Sequence, residues 1–428
     1  MTALRLGLEA ASILLFIVTS PSIDPGIVSE DAVEACFTLL RHNLSKNLVP
    51  ALNNTGHRQA VQEAVEDTPG ASSSVRKRQR RSTDGGESSY LVRELKKVYK
   101  WIVITIPRQV ALMARIEAAI QVMCLDDQLI LTLTSGALDA FEVEAAHSSQ
   151  NPANRLQHAT MELITTVFTK FPAHRSTILE DLFPLMLRLP TSKRTMRACN
   201  VQYSSCPSKY STQSLITSLY STTLTNGPEP HYIQMITALI LSLIQCCVVR
   251  PTLGGTTNEE EVDNSSNQAW VSGLRGCQAV ADMFASNMLQ RCSRKGEDGG
   301  ASEFRPILGN LVEDLLLVMM IPEYSAAQIL LFSFTHGLSR DIILASRASS
   351  AGASDAAVET TYANTAFDIL GRICAAYAKI LRFQRDRELH RTVTIVPEDE
   401  RRLHCYCKRN NFTDTLMVDC DNCHVWYQ

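Results

Sequence analysis

The stretch of sequence that decides the fold spans residues 174–190 and reads HRSTILEDLFPLMLRLP. Its large apolar residues recur every three or four positions, at Ile178, Leu182, Leu185 and Leu189. This spacing places them on one face of an α-helix, and that face must pack against another element to leave water. Pro190 lacks a backbone N–H and cannot continue a helix. The stretch therefore predicts an amphipathic helix that ends before Pro190.

Similar helical patterns recur along most of the chain and are separated by short turns, many of them marked by proline. They cover residues 90–123, 155–171, 232–249, 270–291, 306–320, 325–346 and 358–391. No alternation typical of strands persists between them. We expect an all-α protein, a HEAT-like helical-repeat solenoid whose stacked helix pairs bury a continuous core. A generic helical bundle is the alternative, because no strict sequence period marks the repeat.

The charge balance of the 428-residue chain limits its function. Lys and Arg number 41 against 44 Asp and Glu, which gives a net charge of −3, so any basic binding surface must be local. The sequence has no phosphate-binding loop, no dinucleotide fingerprint and no His-Glu-x-x-His motif, so we expect a protein that is not an enzyme. The acid pairs at 180–181 and 313–314 are expected on solvated helix ends or faces. No apolar run reaches the about 20 residues that a membrane span requires.

The 13 cysteines fall into two groups. Nine are scattered, mostly in apolar helical stretches, where we expect them to pack as small hydrophobic residues in a reducing compartment. The other four are close together, at Cys405, Cys407, Cys420 and Cys423. Thiolates one to two residues apart can bind the same Zn²⁺ ion at about 2.3 Å. Their spacing predicts a zinc site near the end of the chain.

The residues around these cysteines, 416–427, resemble the plant homeodomain (PHD) finger. In that family four cysteines, one histidine and three more cysteines bind two zinc ions, and many members read methylated histone tails. Gln428 stands where the histidine ligand would be, so the resemblance covers half a finger and the zinc site is incomplete. It also implies a methyl-lysine cage at Phe412, Met417 and Trp426, where an aromatic ring would face a quaternary ammonium group. Packing within the finger core is the alternative role for Trp426.

Two basic clusters are candidate DNA contacts. Residues 53–88 are rich in Ser and Gly and have almost no large apolar residue, which predicts a flexible, disordered linker. Its cations are Arg76, Lys77, Arg78, Arg80 and Arg81. The second cluster follows the helix of residues 174–190 and comprises Lys193, Arg194 and Arg197. Phosphate contacts by either cluster would weaken steeply with salt. The cations of the linker could also form a nuclear localisation signal. For both clusters the alternative is that the charges only face solvent and bind no partner.

A second resemblance covers the chain from about residue 6 to residue 390. Residues 174–194, which end in Leu-Pro-Thr-Ser-Lys-Arg, and residues 232–246 resemble the Nipped-B family of sister chromatid cohesin loaders. Weaker matches lie at residues 7–11, 305–316 and 322–327. The resemblance implies a nuclear, chromatin-associated HEAT protein that contacts DNA and the SMC and kleisin subunits of cohesin. It also implies stimulation of the SMC ATPase during loading, and an adaptor subunit bound to full-length members.

These observations predict four parts: an N-terminal helical pair at 1–52, the linker at 53–88, the solenoid at 89–396 and the truncated finger at 397–428. The leading hypothesis is a segment of a cohesin loading factor that acts in sister chromatid cohesion and transcriptional regulation. A histone-tail-reading adaptor that uses the finger is the first alternative. A ubiquitin ligase with a cross-brace zinc module and a trafficking solenoid are the others.

The incomplete ligand set generates the first testable prediction. Neither predicted zinc site reaches four protein ligands, so we expect the purified chain to bind fewer than two zinc ions. Inductively coupled plasma mass spectrometry of the dialysed protein measures this ratio directly, with a Cys405→Ser/Cys420→Ser variant as the control for nonspecific metal. Two tightly held zinc ions per wild-type chain would mean that other side chains complete both sites.

Overall fold

The computed structural model describes most of the chain between residues 2 and 427. The described residues are 2–20, 30–53, 85–123, 125–143, 152–189, 197–200, 232–248, 259–293, 300–350, 356–393, 418–419 and 426–427. They divide into two compact units, Met1–Ile373 and Cys374–Gln428. The predicted linker, 53–88, is helical at its described ends, residue 53 and residues 85–88, and the rest lies outside the described residues, so its disorder stays a prediction there.

Twelve α-helices make up most of the described residues. They are α1 (Thr2–Val18), α2 (Glu30–His42), α3 (Val49–Asn53), α4 (Gly85–Val122), α5 (Asp127–Leu138), α6 (Pro152–Lys170), α7 (Arg175–Arg188), α8 (Met235–Gln245), α9 (Glu259–Ser293), α10 (Gly300–Val318), α11 (Ala326–Ser350) and α12 (Ala356–Val393). One π-helical segment and three 3₁₀ turns lie between them, at Asn43–Leu48, Asp139–Glu142, Pro172–His174 and Pro322–Tyr324.

Two short antiparallel strand pairs complete the described elements. In the first unit, β1 (Arg197–Asn200) pairs with β2 (Tyr232–Gln234), with an irregularity between Arg197 and Cys199. In the second unit, β3 (Val418–Asp419) pairs with β4 (Trp426–Tyr427).

The helices of the first unit pack in two rows. In one row α1 contacts α4, α4 contacts α6 and α6 contacts α8, while in the other α2 contacts α5 and α5 contacts α7. The array continues through α9, which packs against α8, α10 and α11, and α7 contacts α10. Each helix thus buries its apolar face mainly against its neighbours in the array. This arrangement confirms the predicted helical-repeat solenoid.

The stretch at residues 174–190 forms the helix that its spacing predicts. It becomes α7, and its four periodic apolar side chains are buried in the core. The residue between them, Phe183, is also buried and stacks on Phe284 of α9. The chain leaves the helix at Leu189, which is extended, because the proline that follows disfavours the helical conformation of the residue before it.

Buried amide side chains fix the junction of α2 with α4. Asn43 Nδ2 donates a hydrogen bond to Gln109 Oε1 at 2.8 Å, and Gln109 Nε2 donates to the Leu40 carbonyl oxygen at 2.9 Å. Asn43 starts the π-helical segment. Both amides are fully buried, so the hydrogen bonds hold the two rows of helices together at this point.

The helical pattern at 90–123 belongs to one continuous 38-residue helix, α4, which contains Pro107, because packing of its apolar face offsets the single backbone hydrogen bond that proline removes. Two other stretches differ from what their composition predicts. The acidic, Gly-rich composition of residues 251–266 predicts a loop, but helix α9 begins within it, at Glu259. The Ser- and Thr-rich composition of residues 198–228 also predicts a loop, but strand β1 reaches into it, because its partner strand is more than 30 residues away in sequence and leaves no local signal.

Helix α1 is only half buried. Leu8 and Leu15 are in the core, whereas Leu6, Ile13 and Phe16 are exposed. The guanidinium of Arg115 lies 4.7 Å from the centre of the Phe16 ring and covers part of this face. None of the helices in the described residues is long and apolar enough to cross a membrane.

Candidate functional site

Most of the predicted site residues lie outside the described residues. This applies to the zinc-ligand cysteines, to Phe412 and Met417 of the predicted cage, and to all predicted DNA contacts except Arg197. Arg197 lies in β1 opposite Gln234 of β2, and Trp426 lies in β4 opposite Asp419 of β3. In the part of the chain that the structure describes, no group of three or more His, Cys, Asp and Glu side chains could hold a metal ion. The predicted zinc, cage and DNA roles stay predictions.

A buried carboxylate lies at the centre of the first unit and corrects one expectation from the sequence. Asp314 of α10, expected on a solvated face, is only 1% exposed. Its Oδ2 accepts hydrogen bonds from the backbone N–H of Gln234 and from the hydroxyl of Thr237, each at 2.8 Å. Gln234 is the N-cap residue of α8, and its own side chain makes no capping hydrogen bond. Asp314 therefore caps α8 from another helix, where its negative charge also opposes the positive end of the helix dipole.

A second cross-helix cluster joins α7 to α9 and α10. Glu180, also expected on a solvated face, is partly buried and accepts hydrogen bonds from Asn287 Nδ2 at 2.6 Å and from Arg291. The guanidinium of Arg291 lies 4.4 Å from the centre of the Phe183 ring. Phe304 of α10 meets the same ring edge-on, with centroids 6.2 Å apart. One arginine thus combines an ion pair with a cation–π contact, which a lysine could not reproduce with the same geometry.

The sequence motifs that carry the resemblance to cohesin loaders contact one another in the structure. The capping carboxylate, from the motif at 305–316, binds the start of the motif at 232–246. The far end of that motif, Gln245, donates hydrogen bonds to the Glu323 carbonyl oxygen at 2.8 Å and to the Ser325 hydroxyl at 3.3 Å. The motif at 7–11 contributes Glu9, which pairs with Arg108 of α4 at 2.7 Å. These residues hold neighbouring helices in register, so their described contacts are structural.

An open groove lined mainly by polar and charged side chains lies between α2 and α5. It consists of two adjoining cavities of about 640 Å³ and 500 Å³ that share Thr38, Arg41 and Thr132 in their walls. Arg41 lies directly on Gly136 of α5, since a Cβ atom there would clash with Arg41 Cγ. Only glycine leaves room for the arginine stem at this position.

Carboxylates outnumber cations along the groove. The acidic side chains in its walls are Glu30, Glu34, Asp126, Asp139 and Asp181, and the permanently charged cations are Arg41 and Lys46. His42 also lines the groove. Burial, and after it the charge of Glu180, raises the pKa of Asp181. Asp139 accepts a hydrogen bond from the Ser45 hydroxyl at 2.6 Å, and Asp126 caps α5 through the backbone N–H of Gln128. In the described part of the chain, Glu30, Glu34 and Arg41 have no ion-pair partner.

Three cysteine side chains converge on the end of α8. Cys246 and Cys247 donate to the Leu243 carbonyl oxygen at 3.1 and 3.4 Å, and Cys277 of α9 donates to the Ile244 carbonyl oxygen at 3.0 Å. Hydrogen bonding with the Cys246 side chain lowers the pKa of the Cys247 thiol, whereas burial raises the pKa of Cys277 to about 11. The expected burial of scattered cysteines is confirmed for Cys247 and Cys277, and it is wrong for Cys374, which is exposed.

Glu117, an acidic side chain of α4, has a raised pKa. Burial, and after it the negative charge of Glu162, raises the pKa of Glu117 to about 7. On the same face of α6, burial lowers the pKa of His158, although Glu162 opposes that shift. The ionised form of Glu117 is therefore disfavoured in the folded protein.

Sequence comparisons place the chain near one group of proteins. No family model matches it. It is 28% identical over 326 residues to the Nipped-B-like protein of Homo sapiens. The aligned region covers 76% of this chain and 10% of that protein. The Nipped-B protein of Drosophila melanogaster is 26% identical over 271 residues, 59% of this chain and 11% of that protein. The chain thus spans about a tenth of the length of these curated relatives.

The fold comparison gives a compatible result. The C-terminal fragment of the Chaetomium thermophilum cohesin loader SCC2 superposes with a TM-score of 0.57 at 16% identity. The alignment covers 86% of this chain and 23% of that fragment. At this level of identity the likeness concerns the helical-repeat fold.

The capping role of Asp314 generates a prediction on stability. Replacing Asp314 by Ala leaves a partly buried N–H and a buried hydroxyl without their acceptor, which should lower the free energy of unfolding by about 2–3 kcal/mol. The adjacent Glu313→Ala is the matched control, because Glu313 makes a more exposed pair with Arg372 and its loss should cost about 1 kcal/mol or less. Urea titration monitored by circular dichroism measures both. Equal effects of the two substitutions would contradict the buried cap.

The raised pKa of Glu117 generates a prediction on pH dependence. An acid with a folded pKa of about 7, against an ordinary value of 4.5, binds protons more tightly in the folded state. Stability should therefore fall as the pH rises from about 4.5 through about 7. Glu117→Gln removes this effect, so its melting temperature relative to wild type should increase from pH 5 to pH 8. The exposed Glu34→Gln serves as the control in differential scanning fluorimetry, and the same trend in both variants would overturn the assignment.

Proposed function

We propose that this chain is a segment of a Nipped-B-type cohesin loader and acts as a scaffold that helps to load cohesin onto chromatin. The observation that carries the proposal is the sequence similarity over 76% of the chain to a Nipped-B-like protein. The fold supports it, since 86% of the chain superposes on part of a cohesin loader. The motifs of the resemblance also form the contacts between helices, as expected if the two folds share their internal register.

The proposed mechanism is one of positioning. A helical-repeat array presents a long surface on which separate partners can bind at the same time. The partners would be the SMC and kleisin subunits of cohesin and DNA, and in a longer protein an adaptor subunit. The chain would promote the ATPase of the SMC subunits by binding them, without hydrolysing ATP itself. This is consistent with a sequence that contains no phosphate-binding loop.

DNA contact is assigned, within this proposal, to the two basic clusters of the sequence. The cluster at Lys193, Arg194 and Arg197 follows the end of α7, and Arg197 lies in β1 beside the strand that leads into α8. The cluster at residues 76–81 would add contacts and direct the protein to the nucleus.

The second candidate function is a histone-tail-reading adaptor. The observation that favours it is the hairpin of the second unit, in which β3 ends immediately before Cys420 and β4 begins three residues after Cys423. A hairpin with a Cys-x-x-Cys in its turn is a common frame for zinc binding. Bound zinc would hold the finger in its folded form, and Trp426 would face the methylated lysine.

Affinity capture tests the leading proposal. The tagged chain, expressed with a matched Lys193→Glu/Arg194→Glu/Arg197→Glu variant, is incubated with nuclease-treated nuclear extract and analysed by mass spectrometry. We expect both chains to recover SMC and kleisin subunits well above a tagged chain with scrambled helices. In a separate electrophoretic shift assay with duplex DNA, the variant should bind more weakly and with a shallower salt dependence.

Other results would contradict the proposed role in cohesin loading or favour another function. Recovery of histones without SMC or kleisin subunits would support the adaptor. Recovery of neither would contradict a direct role of this segment in cohesin binding. Equal DNA binding by the wild type and the variant would remove the cluster after α7 from the DNA surface.

A further inference from the structure

We propose that the groove between α2 and α5 is a docking site for an extended polypeptide segment of a partner protein that carries basic side chains. The proposal rests on the shape and charge of the groove and does not depend on the function proposed above. The two cavities share Thr38, Arg41 and Thr132 in their walls, so they adjoin each other along the same side of α2.

The dimensions of the groove suit a peptide in an extended conformation. The wall formed by α2 runs from Glu30 to His42, which is 12 residue steps or about 18 Å along the helix axis. An extended chain advances about 3.3 Å per residue, so about five residues would fill this length. A nucleotide or a small metabolite would occupy one cavity and leave the other open.

The charges of the groove select the chemistry of the occupant. Five carboxylates face it against two permanently charged cations, so a polyanion such as nucleic acid would be repelled along most of its length. Two of the carboxylates, Asp126 and Asp139, already accept hydrogen bonds from the protein itself. Glu30 and Glu34 have no ion-pair partner within the described residues. They are therefore available for a lysine or arginine of the occupant.

The other polar groups suit the backbone of such a peptide. Arg41, which lines both cavities, contacts Gly136 and can donate hydrogen bonds to a carbonyl or carboxylate oxygen. The hydroxyls of Thr38, Thr132 and Ser135 line the same groove. Glu34 and Arg41 are seven residues apart, about 10 Å along α2, which corresponds to about three residues of extended chain. The groove thus favours a basic side chain about three residues from the position that Arg41 contacts.

Fluorescence anisotropy with defined probes tests this inference on the full chain. The probe is a labelled 12-residue peptide of alternating Lys and Ser, and its comparison is the same peptide with Glu in place of Lys. Glu30→Gln/Glu34→Gln should weaken binding of the basic peptide about tenfold, because two partly exposed ion pairs contribute about 0.7 kcal/mol each. The control Glu303→Gln/Glu323→Gln removes the same charge from exposed positions outside the groove walls and should change the affinity less than about twofold.

A charge reversal keeps the test independent of folding. The Glu30→Lys/Glu34→Lys variant, checked by circular dichroism, should lose the basic peptide and bind the Glu-Ser peptide. The inference is overturned if the basic peptide does not bind the wild type at millimolar concentration, or if both double Glu→Gln variants lose affinity equally. It is also overturned if a labelled dT12 oligonucleotide binds more tightly than the peptide and is released by Arg41→Gln/Lys46→Gln, which would make the groove a phosphate site.

Discussion

The first unit depends on one constraint more than on any other: a carboxylate on α10 replaces the capping side chain that α8 lacks. Apolar residues dominate α8, and its N-cap glutamine makes no side-chain hydrogen bond to the first turn. Without an acceptor from elsewhere, a partly buried N–H and a buried hydroxyl would be unsatisfied at a cost that packing would have to offset. Asp314 supplies that acceptor. Because it is about 80 positions from the first turn of α8 in sequence, its hydrogen bonds fix the register between α8 and α10.

The same logic applies to the cluster on α7. Glu180 and Phe183 present an ion pair and an aromatic face to Arg291, a residue 111 positions away from Glu180. Such contacts specify which helices are neighbours, whereas apolar packing alone tolerates many arrangements. This explains why the motifs of the resemblance are spread along the chain and meet in space. The described contacts of these motifs therefore carry information about the fold.

Much of the fold could be predicted from the sequence, and the particular failures have physical causes. The periodic apolar residues of α7 and the proline after it defined that helix, because both signals are local. The charge of Asp314 predicts a solvated side chain, which is wrong, because the position falls between Leu311 and Leu315 on the apolar face of α10. The spacing of these two leucines is the sequence signal that indicates burial. Strand β1 could not be predicted, because its hydrogen bonds go to residues distant in sequence.

The candidate binding surfaces divide in a similar way. The groove between α2 and α5 could not be predicted, because its walls belong to two helices separated by more than 80 residues and its charges are individually unremarkable. Gly136 is an example, since only the approach of Arg41 gives this residue a role. By contrast, the zinc site and the DNA contacts could be proposed from the sequence, because the cysteines and the basic residues concerned are close together along the chain.

Native-state hydrogen exchange, followed by NMR or mass spectrometry, tests most directly whether α8 and α10 form one cooperative structure. The central quantity is the opening free energy of the Gln234 amide, which donates to the Asp314 carboxylate. The account predicts that this amide is protected to the same degree as core amides of α10, because both must open together. Rapid exchange of the Gln234 amide while α10 stays protected would contradict it.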